Sequence, residues 1–74
     1  MINIFKRDVE LDAETKNLLE KYISKAKVYN KEEMERDVSV RIENVSAASD
    51  SEIAAALRDV LSFRMEILSV GAIF

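Results

Sequence analysis

The chain contains no histidine, cysteine, proline or tryptophan, and its 74 residues include a single glycine, Gly71. Without histidine and cysteine there is no Ser-His or Cys-His pair for nucleophilic catalysis, and zinc loses its usual ligands. One glycine cannot build a glycine-rich phosphate loop, a dinucleotide-binding turn or an EF-hand loop. The composition therefore predicts a protein that is not an enzyme and that holds no cofactor and no metal.

Charge and hydropathy argue against a nucleic-acid partner and against a membrane span. Eleven basic side chains face fourteen acidic ones, so the net charge is −3, and residues 37–74 carry all of it. This balance argues against a direct nucleic-acid interface, which is normally basic. The longest apolar region, residues 53–74, is interrupted by four charges, so we expect no membrane span there. The apolar start is too short for a signal peptide, which leaves the cytoplasm as the expected compartment.

Local signals divide the chain, which has the length of one domain over residues 1–74, into strands and helices. Residues 1–5 alternate weakly and predict a short strand. Asp12 is a good N-cap for an amphipathic helix over 13–28. Asn30, with Glu33 three residues later, predicts a second helix start.

Residues 31–46 permit two interpretations. Val38, Val40 and Ile42 alternate with polar residues, which is typical of a strand over 37–44. A continuous helix over 31–46 would instead leave Val40 facing solvent, so we favour the strand. We expect it to pair in parallel with residues 2–5.

The last helix has the clearest start signal. Ser49 and Glu52 form a capping-box pattern, with Ala48 and Ile53 placed for the accompanying apolar contact. The helix should run to about Ser69, with Gly71 ending it and the apolar tail 72–74 adding a third strand or packing beneath it. We therefore predict a single α+β domain with the order strand, helix, strand, long helix; a three-helix bundle is the alternative.

The apolar arc of this last helix is wider than one core needs. At 100° per residue its apolar side chains cover roughly 220°, against about 100–140° for a helix that covers one core. We expect the excess to form a homodimer interface, although a second helix could cover it internally or a different partner could bind it. The predicted interface residues are Ala56, Val60, Phe63, Arg64, Ile67, Val70 and Phe74.

Arg64 lies near the middle of this arc, where charge is unexpected. Its stem can pack on apolar neighbours while its guanidinium reaches the edge. Alternatively, it forms an ion pair across the interface, for example with Glu43 or with an acid of a partner.

The function predicted from these features is that of a small acidic regulator or inhibitor that binds another protein. One version is an acidic decoy that imitates nucleic-acid phosphates towards a basic DNA- or RNA-binding protein. A subunit of a larger assembly is another reading. The acids available to a decoy are Glu32, Glu33, Glu35, Asp37, Glu43, Asp50 and Glu52.

The segment Val38-Ser39-Val40-Arg41-Ile42 resembles the pairing strand of ribbon-helix-helix repressors, in which alternate side chains of a two-stranded ribbon read the major groove. The resemblance implies a DNA-binding transcriptional regulator. It covers about five residues, and the family continues with two short helices where this chain continues with one long helix.

Overall fold

A computed structural model describes residues 1–71 of the chain. It contains two antiparallel strands and three helices, which is consistent with the α+β class. The elements in order are β1 (Ile2–Ile4), β2 (Arg7–Val9), α1 (Ala13–Ala26), α2 (Lys31–Ser39), a 3-10 turn (Val45–Ala47) and α3 (Asp50–Gly71). The predicted tail strand over 72–74 lies outside the described residues.

The two strands form a hairpin, which the sequence pattern did not predict. Ile2 pairs with Val9 and Ile4 with Arg7, so β1 has β2 as its neighbour, and the predicted parallel pairing with residues 37–44 is wrong. The connecting residues Phe5 and Lys6 both have positive φ, near 60°, as in a type I′ turn. The backbone N–H of Phe5 donates to the carboxylate of Glu35 on α2 at 2.7 Å, which ties the turn to the helical layer.

Side-chain caps fix where the three helices begin. Asp12 accepts from the backbone N–H of Thr15, and Asn30 accepts from that of Glu33. Ser49 accepts from the backbone N–H of Glu52 at 3.2 Å. These three predicted helix starts are confirmed. Helix α3 continues through Gly71, two residues past its predicted end.

The predicted strand over 37–44 is wrong, and so is the alternative of a continuous helix to 46. Helix α2 ends at Ser39, and a turn follows. The helical spacing buries both Met34 and Val38 against α3, whereas Val40 is 77% exposed. Burial of two apolar residues four apart therefore outweighs the β-branched alternation, and Val40 is left in solvent.

The core lies between the hairpin, α1, α2 and the first half of α3. Its fully buried apolar side chains come from both strands, from α2 and from α3: Ile4, Val9, Val38, Ile53, Leu57 and Leu61. Helix α3 has 22 residues and so is about 33 Å long. The molecule measures 41 × 22 × 18 Å, and the buried side chains of α3 lie between Ile53 and Leu61.

Candidate protein-binding face

The second half of α3 presents three large apolar side chains to solvent. Phe63, Ile67 and Val70 are 56%, 53% and 51% exposed. Their spacing of four and three residues places them on one side of the helix, and we name these three residues the α3 face. Exposed apolar residues scattered singly are ordinary, but a contiguous row of this kind is typical of an interaction surface.

Only part of the predicted interface lies on this face. Ala56 and Val60 precede it on the same side of the helix, but both are buried within the protomer. Contacts within the protomer therefore bury the apolar side chains in the first half of α3. Those of Phe63, Ile67 and Val70, in the second half, remain exposed. Phe74 lies outside the described residues.

A groove of about 320 Å³ runs along one side of the α3 face. Phe63 and Ile67 line it from α3, and the residues that line it from the other elements are Tyr22 of α1, Asp37 of α2 and Arg41, just after α2. On the other side of the face, a shallower depression is lined by Phe63, Glu66, Ile67 and Val70. The apolar row thus stands as a ridge with an arginine on one flank and a glutamate on the other.

Arg64 lies in this groove and holds α2 against α3. Its Nε and Nη2 donate to Asp37 Oδ2 at 3.0 and 2.6 Å, and Nη2 also donates to Glu33 Oε1 at 2.7 Å. Nη1 donates to the Tyr22 hydroxyl at 3.0 Å. The guanidinium carbon lies 4.4 Å from the ring centroid of Tyr29, within range of a cation–π contact.

The ion pairs of Arg64 are therefore with acids of its own chain, Glu33 and Asp37 on successive turns of α2, rather than with Glu43. Arg64 thus forms its ion pairs within the protomer, with two acids that were not predicted as its partners. Burial alone would lower the pKa of Arg64, but the hydrogen bonds to Tyr22, Glu33 and Asp37 raise it above its ordinary value.

Tyr29 belongs to the same group of contacts, which we name the Arg64 cluster: Arg64, Glu33, Asp37, Tyr22 and Tyr29. Its hydroxyl donates to Asp37 Oδ2 at 2.8 Å, and its ring meets that of Tyr22 edge to face at 5.2 Å. Burial, followed by the hydrogen bond to Asp37, raises the pKa of Tyr29. Nothing in the local sequence pattern identified Tyr22 and Tyr29 as partners of Arg64. The signal was the pair of acids at positions 33 and 37, which face one side of α2 and can receive an arginine.

The seven acids proposed for a decoy do not form one free patch. Glu33 and Asp37 bind Arg64, and Glu35 accepts from Phe5. Asp50 binds Arg7 at 2.8 Å and accepts from the backbone N–H of Glu10; these contacts, the latter first, lower its pKa. Internal contacts therefore engage four of the seven candidates, and Glu52 lies at the capping box; the exposed acids include Glu32 and Glu43.

The segment that resembles a ribbon-helix-helix strand is not extended. Val38 and Ser39 end α2, and Val40 and Arg41 lie in a turn. Alternate side chains of a helix end do not project to one side as those of a ribbon do. The resemblance thus loses its structural basis in this segment.

Comparisons with protein-family models, curated proteins and solved structures found no match to this chain. Across residues 1–71, no helix is both long enough and apolar enough to cross a membrane.

Proposed function

We propose that this protein is a non-catalytic regulator that acts by protein–protein binding, and that its α3 face pairs with a second copy of the chain. The observation that carries the proposal is the row of Phe63, Ile67 and Val70, each about half exposed on one side of α3. The polar groups nearest to this row also support a binding role rather than a catalytic one. Arg64 and its acids, Glu33 and Asp37, already bind one another and so are not free to act on a substrate.

A symmetric pair suits the face because one apolar row is complementary to itself across a two-fold axis. Burying the exposed half of each large side chain contributes about 1 kcal/mol, so six such side chains contribute about 5–8 kcal/mol. Loss of translational and rotational freedom offsets at least about 4 kcal/mol of this gain. The net gain is therefore at most about 4 kcal/mol, and we expect a weak, reversible dimer with a dissociation constant of about 1 mM or higher.

The acidic surface is the weaker candidate for the binding site. Because Glu33, Glu35, Asp37 and Asp50 have partners within the protomer, their charge is partly compensated. A decoy would have to rely on the remaining acids, whose charge density is modest. We therefore assign the binding function to the α3 face.

Light scattering after size exclusion tests this assignment with two matched variants. Ile67→Glu places a charge on the α3 face, whereas Val28→Glu makes the same chemical change at a residue that is 69% exposed in the α1–α2 connection. We expect the wild type and Val28→Glu to share a mass that rises with concentration. Ile67→Glu should stay at the monomer mass of 8.4 kDa while keeping the wild-type circular dichroism. Equal self-association of all three proteins contradicts the proposal.

A further inference from the structure

We infer that the two copies pair with their α3 helices parallel, in an arrangement that brings Arg41 of each protomer to Glu66 of the other. This inference rests on the proposed self-association and adds its orientation and its charge selectivity. Three features of the described residues carry it: the two flanks of the α3 face, the ion pairs already formed within the chain, and the heights of the two charges along α3.

Arg41 and Glu66 stand on opposite flanks of the α3 face. At about 100° per residue, Glu66 lies about 60° from Phe63 on the side away from Ile67. The groove that Arg41 lines extends past Ile67 to Arg64 and Leu68, which lie on the other side. The ridge is therefore basic along one flank and acidic along the other.

Both charges are open to a partner. The salt bridges among residues 1–71 involve the arginines Arg7, Arg58 and Arg64, and neither Arg41 nor Glu66 takes part in one. Both side chains belong to exposed residues. An interface that covers the α3 face would bring charges of a second copy within reach of them.

Symmetry decides between the two orientations. When two helices pair in parallel about a two-fold axis that runs along them, each flank meets the opposite flank of the partner. When they pair antiparallel, like flanks meet, so that Arg41 would face Arg41 of the other copy, and Glu66 would face Glu66. Only the parallel pair places opposite charges together. The antiparallel pair is disfavoured because it brings like charges into contact.

The heights of the charges along the helix agree with the parallel pair. A two-fold axis parallel to α3 brings the same level of each helix together, with no shift along the axis. Arg41 lines the groove beside α3 residues 60–68, and Glu66 lies within that span. The charges can therefore meet while the Phe63, Ile67 and Val70 side chains of the two copies pack on one another.

Charge reversal tests the pairing by sedimentation equilibrium. Arg41→Glu and Glu66→Arg should each weaken the dimer about three- to tenfold, because each places like charges together in two symmetric contacts. The double variant Arg41→Glu/Glu66→Arg should return to within about twofold of the wild type, since the pair is restored with its signs exchanged. Lys16→Glu, the same charge change on an exposed residue of α1, should leave the affinity unchanged.

Disulfide crosslinking tests the orientation independently, because the natural chain has no cysteine. In the parallel pair, Val70→Cys should form a covalent dimer readily on oxidation, faster than the exposed control Ser24→Cys. In an antiparallel pair, Val70 would lie opposite Phe63. A mixture of Val70→Cys and Phe63→Cys chains would then form mainly the mixed disulfide.

The outcomes separate this inference from the proposed function. A wild type that stays monomeric at every concentration overturns both. A wild-type dimer whose affinity ignores the charge reversals, or a double variant that is not restored, overturns the Arg41–Glu66 pairing and leaves the apolar interface standing. Preferential formation of the mixed disulfide overturns the parallel orientation and, with it, the Arg41–Glu66 pairing, and leaves the apolar interface standing.

Discussion

Arg64→Met removes the guanidinium that joins α2 to α3 and keeps a flexible, apolar side chain in its place. Asp37 and Glu33 would then lack their counter-charge, with side chains that are 26% and 38% exposed. Breaking a fully buried pair costs about 3–5 kcal/mol and breaking an exposed pair less than about 1 kcal/mol. The partial exposure places Arg64→Met between these limits, at about 2–3 kcal/mol of unfolding free energy.

Urea and thermal unfolding followed by circular dichroism measure this loss. For a domain of this size we expect the melting temperature to fall by roughly 8–20 °C. The matched control is Arg58→Met on the same helix, because Arg58 is more exposed and lies 3.7 Å from Asp12 and Glu14. That control should cost less than about 1 kcal/mol.

The double variant Arg64→Met/Asp37→Leu adds a second constraint. It removes both members of the closest pair, so that no uncompensated charge remains on Asp37, and it should recover a large part of the lost stability. Equal losses for Arg64→Met and Arg58→Met would refute the view that the Arg64 cluster anchors α2. A double variant that adds the full cost of both single changes would refute the charge argument.

Three further predictions concern single residues. Lys27 follows the end of α1 and has a left-handed φ of 73°. Because glycine adopts this conformation freely, Lys27→Gly should stabilise the protein by about 0.5–1 kcal/mol in urea unfolding. A loss of stability contradicts this prediction. The Asp50 carboxylate has a lowered pKa, so its contribution to stability is present above about pH 4 and is lost as the pH falls through the folded pKa. Asp50→Asn should flatten the acid limb of a stability–pH profile, and an unchanged limb contradicts the assignment. Tyr29 has a raised pKa, so its contribution is present below about pH 10 and declines as the pH rises further; Tyr29→Phe should flatten the alkaline limb, and an identical decline in both proteins contradicts it.

The parts of the fold that the sequence predicted depend on neighbours within one helical turn. Asp12, Asn30 and Ser49 each cap a helix through a backbone N–H three residues later. Such signals can be read without any knowledge of the tertiary structure, because the donor and the acceptor are fixed by the helix geometry itself.

The hairpin was not predicted because its turn lacks the glycine, asparagine or aspartate that usually marks a two-residue hairpin turn. Both central positions have positive φ, which glycine, asparagine and aspartate favour, but Phe5 and Lys6 occupy them. Contacts distant in sequence hold this turn, including the hydrogen bond from Phe5 to Glu35 thirty residues away. A pattern read over a few residues contains no sign of that contact.

The predicted strand over 37–44 was wrong for a related reason. Its β-branched alternation favours a strand, but a helix places Met34 and Val38 together in the core and directs Glu33 and Asp37 together towards Arg64. A strand would send Asp37 and Val38 to opposite faces. The distant Arg64 therefore favours the helix, which a local pattern cannot reveal.

The α3 face was only partly predictable. The width of the apolar arc indicated excess apolar surface, and Phe63, Ile67 and Val70 are indeed exposed. The sequence could not show that Ala56 and Val60 would be buried within the protomer while Phe63, Ile67 and Val70 stay exposed, since this depends on how the other elements pack against α3. It also gave no sign that Arg41 and Glu66 would flank the ridge.

Sedimentation equilibrium of the wild-type chain, from micromolar to millimolar concentration, tests the central claim most directly. Pairing through Phe63, Ile67 and Val70 predicts an average mass that rises above 8.4 kDa, towards twice that value, as the concentration enters the millimolar range. A mass that stays at 8.4 kDa throughout that range would contradict it.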